Sequence, residues 1–177
     1  MATGIRVSKQ EYMRMAKGPD RPDVEYVRGE IVERGMPGLV HSGVQKRLIV
    51  LFSALEDSHR LYAFPEPRLQ LAEDLFRVPD VAVFAGAPPS QLVPDRPPLC
   101  VVEVVSRDDR YTELLQKLDE YHRWGVPHIW VVDPWLERLS IYDASGLRQT
   151  SDLGLPGIDG RIVIAEMIRG LKDAVVP

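Results

Sequence analysis

Residues 99–105 read LCVVEVV, a stretch that is apolar on both of its alternating faces except at Glu103. This pattern predicts a central β-strand covered on both sides, because a strand with one face in water would alternate polar and apolar residues. Upstream, residues 76–84 read FRVPDVAVF and predict another strand, which is interrupted by Asp80. Two consecutive predicted strands therefore each carry one acidic residue within an apolar run.

The segments around these strands show both helical and strand patterns. Apolar residues at spacings of three and four predict a long helix over residues 40–55, and another helix is predicted from Asp109 to Trp124, with Gly125 as its C-terminal cap. A short helix is predicted from the capping pair Ser8 and Glu11 through Ala16, ended by Pro19 and Pro22. The other predicted strands span residues 24–27, 31–33, 61–64, 68–71, 128–132, 138–142 and 161–165.

This order of elements predicts an α/β fold with a mixed β-sheet flanked by helices and an N-terminal hairpin around Gly29. The chain has 177 residues, the size of one domain, so we expect a single domain over residues 1–177. No apolar run approaches the roughly eighteen residues that would span a bilayer, so no membrane association is expected. Because Cys100 is the only cysteine and no signal-peptide pattern is found, we expect a cytoplasmic protein.

The formal net charge of −4 argues against tight nonspecific binding of nucleic acid, which is typical of basic domains. A site built from carboxylates is acidic by construction, however, and a bound cation reverses its local charge. The sequence contains no phosphate-binding loop that ends in Gly-Lys-Ser/Thr, no Gly-x-Ser-x-Gly elbow and no Cys-x-x-Cys pair. These absences leave the carboxylates of the apolar strands as the candidate chemistry.

Asp80 and Glu103 are the candidate metal ligands. A buried carboxylate costs several kcal/mol unless something compensates its charge. A hard divalent cation such as Mg²⁺ does so, since it prefers oxygen ligands and usually binds one or two carboxylates together with water and phosphate. The alternative is a local ion pair with Arg77, Arg107 or Arg110.

Lys117 lies on the helix that follows the Glu103 strand. It could form an exposed pair with Glu113, worth about 0.3–0.5 kcal/mol, or place a cation near a substrate phosphate. Spacing alone favours the exposed pair. Glu30, next to the hairpin turn, could add a further carboxylate or be an ordinary turn residue. His41, at the start of the long helix, could make a weak polar contact, but a capping or surface role is favoured.

Four segments together resemble the Uma family of bacterial endonuclease candidates, a former domain of unknown function within the PD-(D/E)xK nuclease superfamily. They are the stretches RVPDVAV at 77–83, VVEVVS at 101–106, KLDEY at 117–121 and GVPHIWVVDP at 125–134. Residues 25–32, EYVRGEIV, resemble the N-terminal signature of the family, and Leu155-Pro156-Gly157 resembles its C-terminal signature. The resemblance covers nearly the whole chain.

The resemblance implies a restriction-endonuclease-like fold and a Mg²⁺-dependent phosphodiesterase site, with Mn²⁺ as an alternative cation. It assigns the catalytic Asp and Glu of the superfamily to Asp80 and Glu103. The superfamily lysine usually follows the Glu by two residues, but that position is Val105 here. The resemblance therefore assigns the lysine role to Lys117, on the next helix, and it matches Glu30 to the extra acidic residue near many such sites.

Two hypotheses follow for the function. The first is a metal-dependent DNA endonuclease in which Asp80 and Glu103, with Glu30, hold the cation and Lys117 stabilises charge on the phosphate. The second is a nuclease-fold binding protein with little or no catalysis that acts as a homodimer, since a fold does not determine a function. A homodimer is expected under either hypothesis because relatives are expected to pair.

Overall fold

The computed structural model of the protein describes residues 5–17, 24–35, 37–107 and 110–171. The helices within these ranges are α1 (Lys9–Lys17), α2 (Leu39–Ser53), α3 (Glu56–His59), α4 (Tyr111–Trp124) and α5 (Ile164–Ile168). The strands are β1 (Ile5–Arg6), β2 (Val24–Val27), β3 (Glu30–Glu33), β4 (Leu61–Pro65), β5 (Leu69–Ala72), β6 (Leu75–Arg77), β7 (Val81–Ala85), β8 (Cys100–Val104), β9 (His128–Asp133), β10 (Arg138–Asp143), β11 (Gly146–Thr150), β12 (Asp152–Leu153) and β13 (Ile162–Val163).

The central layer is a six-stranded mixed sheet in the order β11-β10-β9-β8-β7-β4. Strands β8 and β9 run parallel, and the other neighbours in this sheet are antiparallel. A five-stranded antiparallel sheet, β1-β3-β2-β6-β5, contains the predicted hairpin of β2 and β3, in which Val27 pairs with Glu30. The predicted α/β class, with a mixed sheet flanked by helices and an N-terminal hairpin, is confirmed.

Helices cover both faces of the central sheet. On one face, Val44 and Leu48 of α2 pack with Val102 of β8. On the other face, Leu118 of α4 packs with Val101, the neighbour of Val102 in the same strand. Successive strand residues point to opposite faces, so a strand buried on both sides must be apolar throughout. This packing explains the pattern of residues 99–105 and places Glu103 on the same face as Val101, toward α4.

The stretch 76–84, predicted as one strand, is divided between the two sheets. Strand β6 ends at Arg77 in the five-stranded sheet, and β7 begins at Val81 in the six-stranded sheet. Pro79 has no amide hydrogen, so it cannot continue a hydrogen-bonded ladder, and the chain bends at Asp80. Asp80 consequently lies at the crossover between the sheets instead of inside a strand.

Other elements differ from the prediction mainly at their ends. The Ser8–Glu11 capping box is present, because the Ser8 amide and hydroxyl both donate to Glu11 Oε2 at 2.7 Å. Helix α4 begins at Tyr111, whereas the predicted start, Asp109, lies outside the described residues, as do Pro19 and Pro22. Gly125 caps α4 at a φ of +99°, as predicted.

The tail departs further from the prediction. The prediction of a strand over residues 161–165 is wrong in its second half. Strand β13 ends at Val163, and helix α5 begins at the next residue. Strand β11 was not predicted; it pairs with β10 in a tight hairpin that turns before Gly146. Within the part of the chain that the structure describes, no helix is long and apolar enough to cross a membrane.

Candidate functional site

Asp80 is fixed at the sheet crossover by contacts from several elements. Its Oδ2 atom accepts a 2.6 Å hydrogen bond from the amide of Val104, the residue that follows Glu103 in β8. Its carbonyl oxygen accepts from Gln45 Nε2 of α2 at 2.8 Å and from the Glu66 amide at 3.1 Å. These contacts hold the Asp80 carboxylate beside the end of β8, next to Glu103.

Glu103 is buried, with 6% of its surface exposed, and it faces α4. Both of its carboxylate oxygens lie 3.0 Å from Lys117 Nζ, and the Tyr121 hydroxyl donates to Oε1 at 2.9 Å. Lys117 and Tyr121 are four residues apart, so they project from the same face of α4. The helix therefore presents a cation and a hydroxyl to one carboxylate.

Lys117 has three partners, each from a different strand or strand end. Besides Glu103, its Nζ donates to the Val78 carbonyl at 2.9 Å and lies 3.1 Å from Glu25 Oε1. The expected exposed pair with Glu113 is not what the structure shows, since Glu113 pairs with Arg110 at 3.4 Å. The amine points into the protein, since the Lys117 side chain is only 13% exposed and its three partners lie inside.

Glu25 is a member of the cluster that sequence reasoning missed. It is 4% exposed on β2, and its Oε2 lies 2.6 Å from Arg77 Nη1 while its Oε1 accepts from the Val78 amide at 2.8 Å. Arg77 Nε also donates to Glu120 of α4 at 2.6 Å. Glu25 carried the same signal as Asp80 and Glu103, an acidic residue in an apolar strand, but the resemblance drew attention to Glu30 instead.

The structure does not bring Glu30 into this cluster. Glu30 is opposite Val27 in the hairpin, and its carboxylate pairs with exposed Arg6 at 3.3 Å. Its predicted catalytic role therefore has no supporting contact among the described residues. Glu25 occupies the position near the site that the resemblance assigned to Glu30.

The cations beside Asp80 also differ from the expected ones. Arg107 stacks on the ring of Trp135 at 4.1 Å, so it is engaged elsewhere. Arg34, just after β3, lies 3.2 Å from Asp80 Oδ1, and His41 Nε2 lies 3.2 Å from Oδ2. The positive charges beside the Asp80 carboxylate therefore come from residues distant in sequence. The expected source was a nearby arginine.

Comparison with known proteins places this architecture in a family. The model of the Uma2 family, described as "Putative restriction endonuclease", matches residues 9–167. The chain belongs to the Uma2 family. Among curated proteins, none matches the chain significantly.

The fold of this Uma2 member is also similar to a solved structure. A crystal structure from Anabaena variabilis, described as "a putative nuclease belonging to DUF820", matches with a TM-score of 0.75. The alignment covers 92% of this chain and 97% of that chain at 20% sequence identity. At this identity the likeness establishes a shared fold and nothing about activity.

The electrostatics of the Uma2 site set its two candidate metal ligands apart. Burial raises the pKa of Glu103 to about 7, the charges of Asp80 and Glu25 raise it as well, and Lys117 opposes them. Burial also acts to raise the pKa of Asp80, but the hydrogen bond and charge of His41, together with Lys117, hold that pKa below its ordinary value. At neutral pH Asp80 is a carboxylate, whereas Glu103 exchanges its proton near physiological pH.

The donor set fits a hard divalent cation. No three His, Cys, Asp or Glu side chains converge into a metal-binding group in the ranges that the structure describes. Asp80 and Glu103 supply two adjacent carboxylates, which is the number that Mg²⁺ usually takes from a protein when water and a substrate phosphate complete its shell. The carboxylates that raise the pKa of Glu103 also mark a place where added positive charge is favourable.

Proposed function

We propose that this chain is a metal-dependent DNA endonuclease that uses Mg²⁺, with Mn²⁺ as a substitute. The observation that carries the proposal is the placement of the Lys117 amine 3.0 Å from both oxygens of Glu103, next to the Asp80 carboxylate, which is bound to the Val104 amide of the Glu103 strand. Three residues from separate elements thus form an acidic pair with an adjacent cation. Membership in a family whose description names restriction endonucleases supports DNA as the substrate and a divalent cation as the cofactor.

Asp80 and Glu103 would hold the cation. When bound there, the cation would polarise a phosphoryl oxygen and compensate the charge that develops on the phosphate. The Val104 amide orients the Asp80 carboxylate, and the Tyr121 hydroxyl orients that of Glu103. Because these donors are fixed before the substrate arrives, the carboxylates need little reorganisation at the moment of reaction.

Lys117 would stabilise the negative charge of the phosphate undergoing attack. Its contacts with Val78, Glu103 and Glu25 fix the amine in one position, and its carboxylate partners outweigh the effect of burial and keep its pKa raised. The amine therefore stays charged at neutral pH. A fixed ammonium in a site with little water acts more strongly on the transition state than a mobile one.

The test is cleavage of double-stranded DNA, single-stranded DNA and RNA with Mg²⁺, with Mn²⁺ and with a chelator. We expect DNA cleavage that requires the cation and falls by about 10²-fold or more in Asp80→Ala, the scale of losing a positioned electrostatic group. Asp119→Asn is a matched control, because Asp119 pairs with Arg123 on the outer side of α4. Cleavage that persists in chelator, or an Asp80→Ala protein as active as wild type, would contradict the proposal.

One observation favours the second candidate function, a nuclease-fold binding protein without catalysis. The four carboxylate oxygens of Asp80 and Glu103 all have donors or cations from the protein itself: Arg34, His41, the Val104 amide, Lys117 and Tyr121. The cluster can therefore be a purely structural ion network. In that case Mn²⁺ would leave the melting temperature unchanged, and DNA would be bound without being cut.

A further inference from the structure

Arg34 is a cation at the site to which the proposed function assigns no role. It follows β3 directly and reaches from the five-stranded sheet to the crossover, where its Nη2 lies 3.2 Å from Asp80 Oδ1. Its side chain is only 12% exposed, so the guanidinium is largely removed from water. Removing the guanidinium from water costs free energy, which its contacts with charged partners must offset. A nearly buried arginine beside a candidate metal ligand therefore indicates a specific role.

The contact with Arg34 occupies the oxygen that a cation would need. The other oxygen of Asp80, Oδ2, already accepts from the Val104 amide and lies 3.2 Å from His41 Nε2. A cation would therefore approach Asp80 through Oδ1, where it meets the guanidinium. Two positive charges on one oxygen repel each other strongly in a site of low dielectric constant, so Arg34 and a metal ion compete for Asp80.

Glu66 gives Arg34 a second anchor. Glu66 Oε1 lies 3.5 Å from the same Nη2 atom, and its side chain is 37% exposed. The backbone of Glu66 has a φ of +49° although the residue precedes Pro67, a position that favours an extended conformation. The hydrogen bond from its amide to the Asp80 carbonyl helps to hold this strained turn, which keeps the Glu66 carboxylate beside Asp80.

We infer, on the basis of the proposed function, that Arg34 is a phosphate-binding residue of this site. In the metal-free protein it neutralises Asp80. When Asp80 binds a cation, the guanidinium gives up that contact, keeps its anchor at Glu66 and binds the phosphodiester of the substrate. The planar guanidinium fork can bind two phosphate oxygens at once, which an ammonium cannot.

Two properties of Arg34 variants test the inference, and the first is cation affinity without DNA. Mn²⁺ is titrated by calorimetry into the full chain as wild type, Arg34→Gln, Arg34→Lys and Asp80→Asn. We expect Arg34→Gln to bind Mn²⁺ at least about fivefold more tightly because a competing positive charge is gone. Arg34→Lys keeps the charge and should stay near wild type, and Asp80→Asn should not bind. Arg123→Gln, which removes an exposed arginine of α4, is the control for a general charge effect.

The second property is DNA affinity in Ca²⁺, with a short duplex as the probe at several salt concentrations. We expect Arg34→Gln to weaken DNA binding by about tenfold. The slope of log affinity against log salt concentration should fall by roughly the amount that one phosphate contact contributes. Arg34→Lys should weaken binding less, since it keeps the charge and loses the fork. If Arg34→Gln does not fold, the Arg34→Lys protein alone tests whether Arg34 binds phosphate. Unchanged DNA affinity in Arg34→Lys would overturn the inference.

The outcomes separate this inference from the proposed function. A wild type that binds Mn²⁺ through Asp80, with equal affinity in Arg34→Gln, would overturn the role of Arg34 and leave the endonuclease proposal intact. Tighter Mn²⁺ binding with unchanged DNA affinity would also overturn it, because Arg34 would then not bind phosphate. A wild type that binds no Mn²⁺ would refute the metal site and this inference together.

Discussion

At the residue scale, the consequences of a substitution depend on what the side chain contacts. Lys117 lies on a helix, where most lysines are solvated, yet it contacts two buried carboxylates and a carbonyl. Removing its charge would leave Glu103 and Glu25 with less compensation in a buried site. Lys117 is therefore expected to matter for stability as well as for the proposed reaction.

Replacing Lys117 by Met should lower the free energy of unfolding by about 3–5 kcal/mol at pH 8, the scale for breaking a buried ion pair. The loss should be smaller at pH 6, where Glu103 can take up a proton. Cleavage should fall by about 10²-fold or more. Denaturant unfolding and single-turnover cleavage measure the two effects.

The matched control for Lys117→Met is Glu113→Gln on the same helix. Glu113 pairs with Arg110 on the exposed surface, so its loss should change the free energy of unfolding by less than about 0.5 kcal/mol. A Lys117→Met protein that is as stable as this control and cleaves at the wild-type rate would remove Lys117 from the site.

The raised pKa of Glu103 predicts a pH dependence of the metal-free protein. Since its folded-state pKa, about 7, is above the ordinary value of 4.5, the folded state binds the proton more tightly. The stability from this group is fully present below the unfolded pKa and is lost as pH rises through about 7. His128, whose pKa is lowered by burial, acts in the opposite direction as its unfolded form becomes protonated toward acid pH.

We therefore expect the contribution of Glu103 to the free energy of unfolding in chelator to fall from about pH 5 to about pH 7 and to level off above that range. Denaturant titration of wild type and Glu103→Gln measures it, because the difference between the two profiles removes the effect of His128. Added Mg²⁺ should stabilise the wild type more at pH 8 than at pH 6, because the cation needs the ionised carboxylate. If the free energy of unfolding changed with pH equally in the two proteins, Glu103 would not be the source of this pH dependence.

At the element scale, a buried ion network joins the two sheets to α4. Arg77, at the end of β6, lies 2.6 Å from Glu25 of β2 and donates to Glu120 of α4 at the same distance. Glu25 in turn contacts Lys117 on α4, which pairs with Glu103 of β8 in the six-stranded sheet. The network fixes the helix that carries the candidate lysine relative to the strands that carry the carboxylates.

Replacing Arg77 by Met should destabilise the protein by about 3–5 kcal/mol, since it leaves two buried carboxylates with reduced compensation. Arg123→Met is the comparison, because Arg123 is 76% exposed in its pair with Asp119 and should contribute less than about 1 kcal/mol. Urea unfolding of the two variants measures the difference. Equal losses would mean that the buried network adds nothing beyond an exposed pair.

At the scale of the whole molecule, we expect a homodimer, as predicted from the resemblance. Sedimentation at micromolar concentration should then show a species of twice the 20.0 kDa chain mass. Detection of the 20.0 kDa species alone would count against the homodimer.

The sequence by itself determined the class of the fold and the residues from which a site could be built. An apolar run on both faces of residues 99–105 requires cover on both sides, and α2 and α4 supply it. Acidic residues inside apolar runs stand out because their burial needs compensation, and this pattern made Asp80 and Glu103 candidates while Glu25, which shows it too, was passed over. The family resemblance pointed to Lys117, and the folded chain brings its amine to Glu103.

Only the tertiary structure decided which charges meet. Pro79 ends the ladder of one sheet, and the antiparallel pairing of β7 with β8 in the other, in which Val81 is opposite Val102, brings Asp80 to the end of β8. Arg34 reaches Asp80 across 46 residues of sequence, and Glu25 reaches Lys117 from β2 of the five-stranded sheet. Local patterns report whether a residue is buried, but contact between distant residues depends on how the sheets pack, and packing is a property of the whole chain.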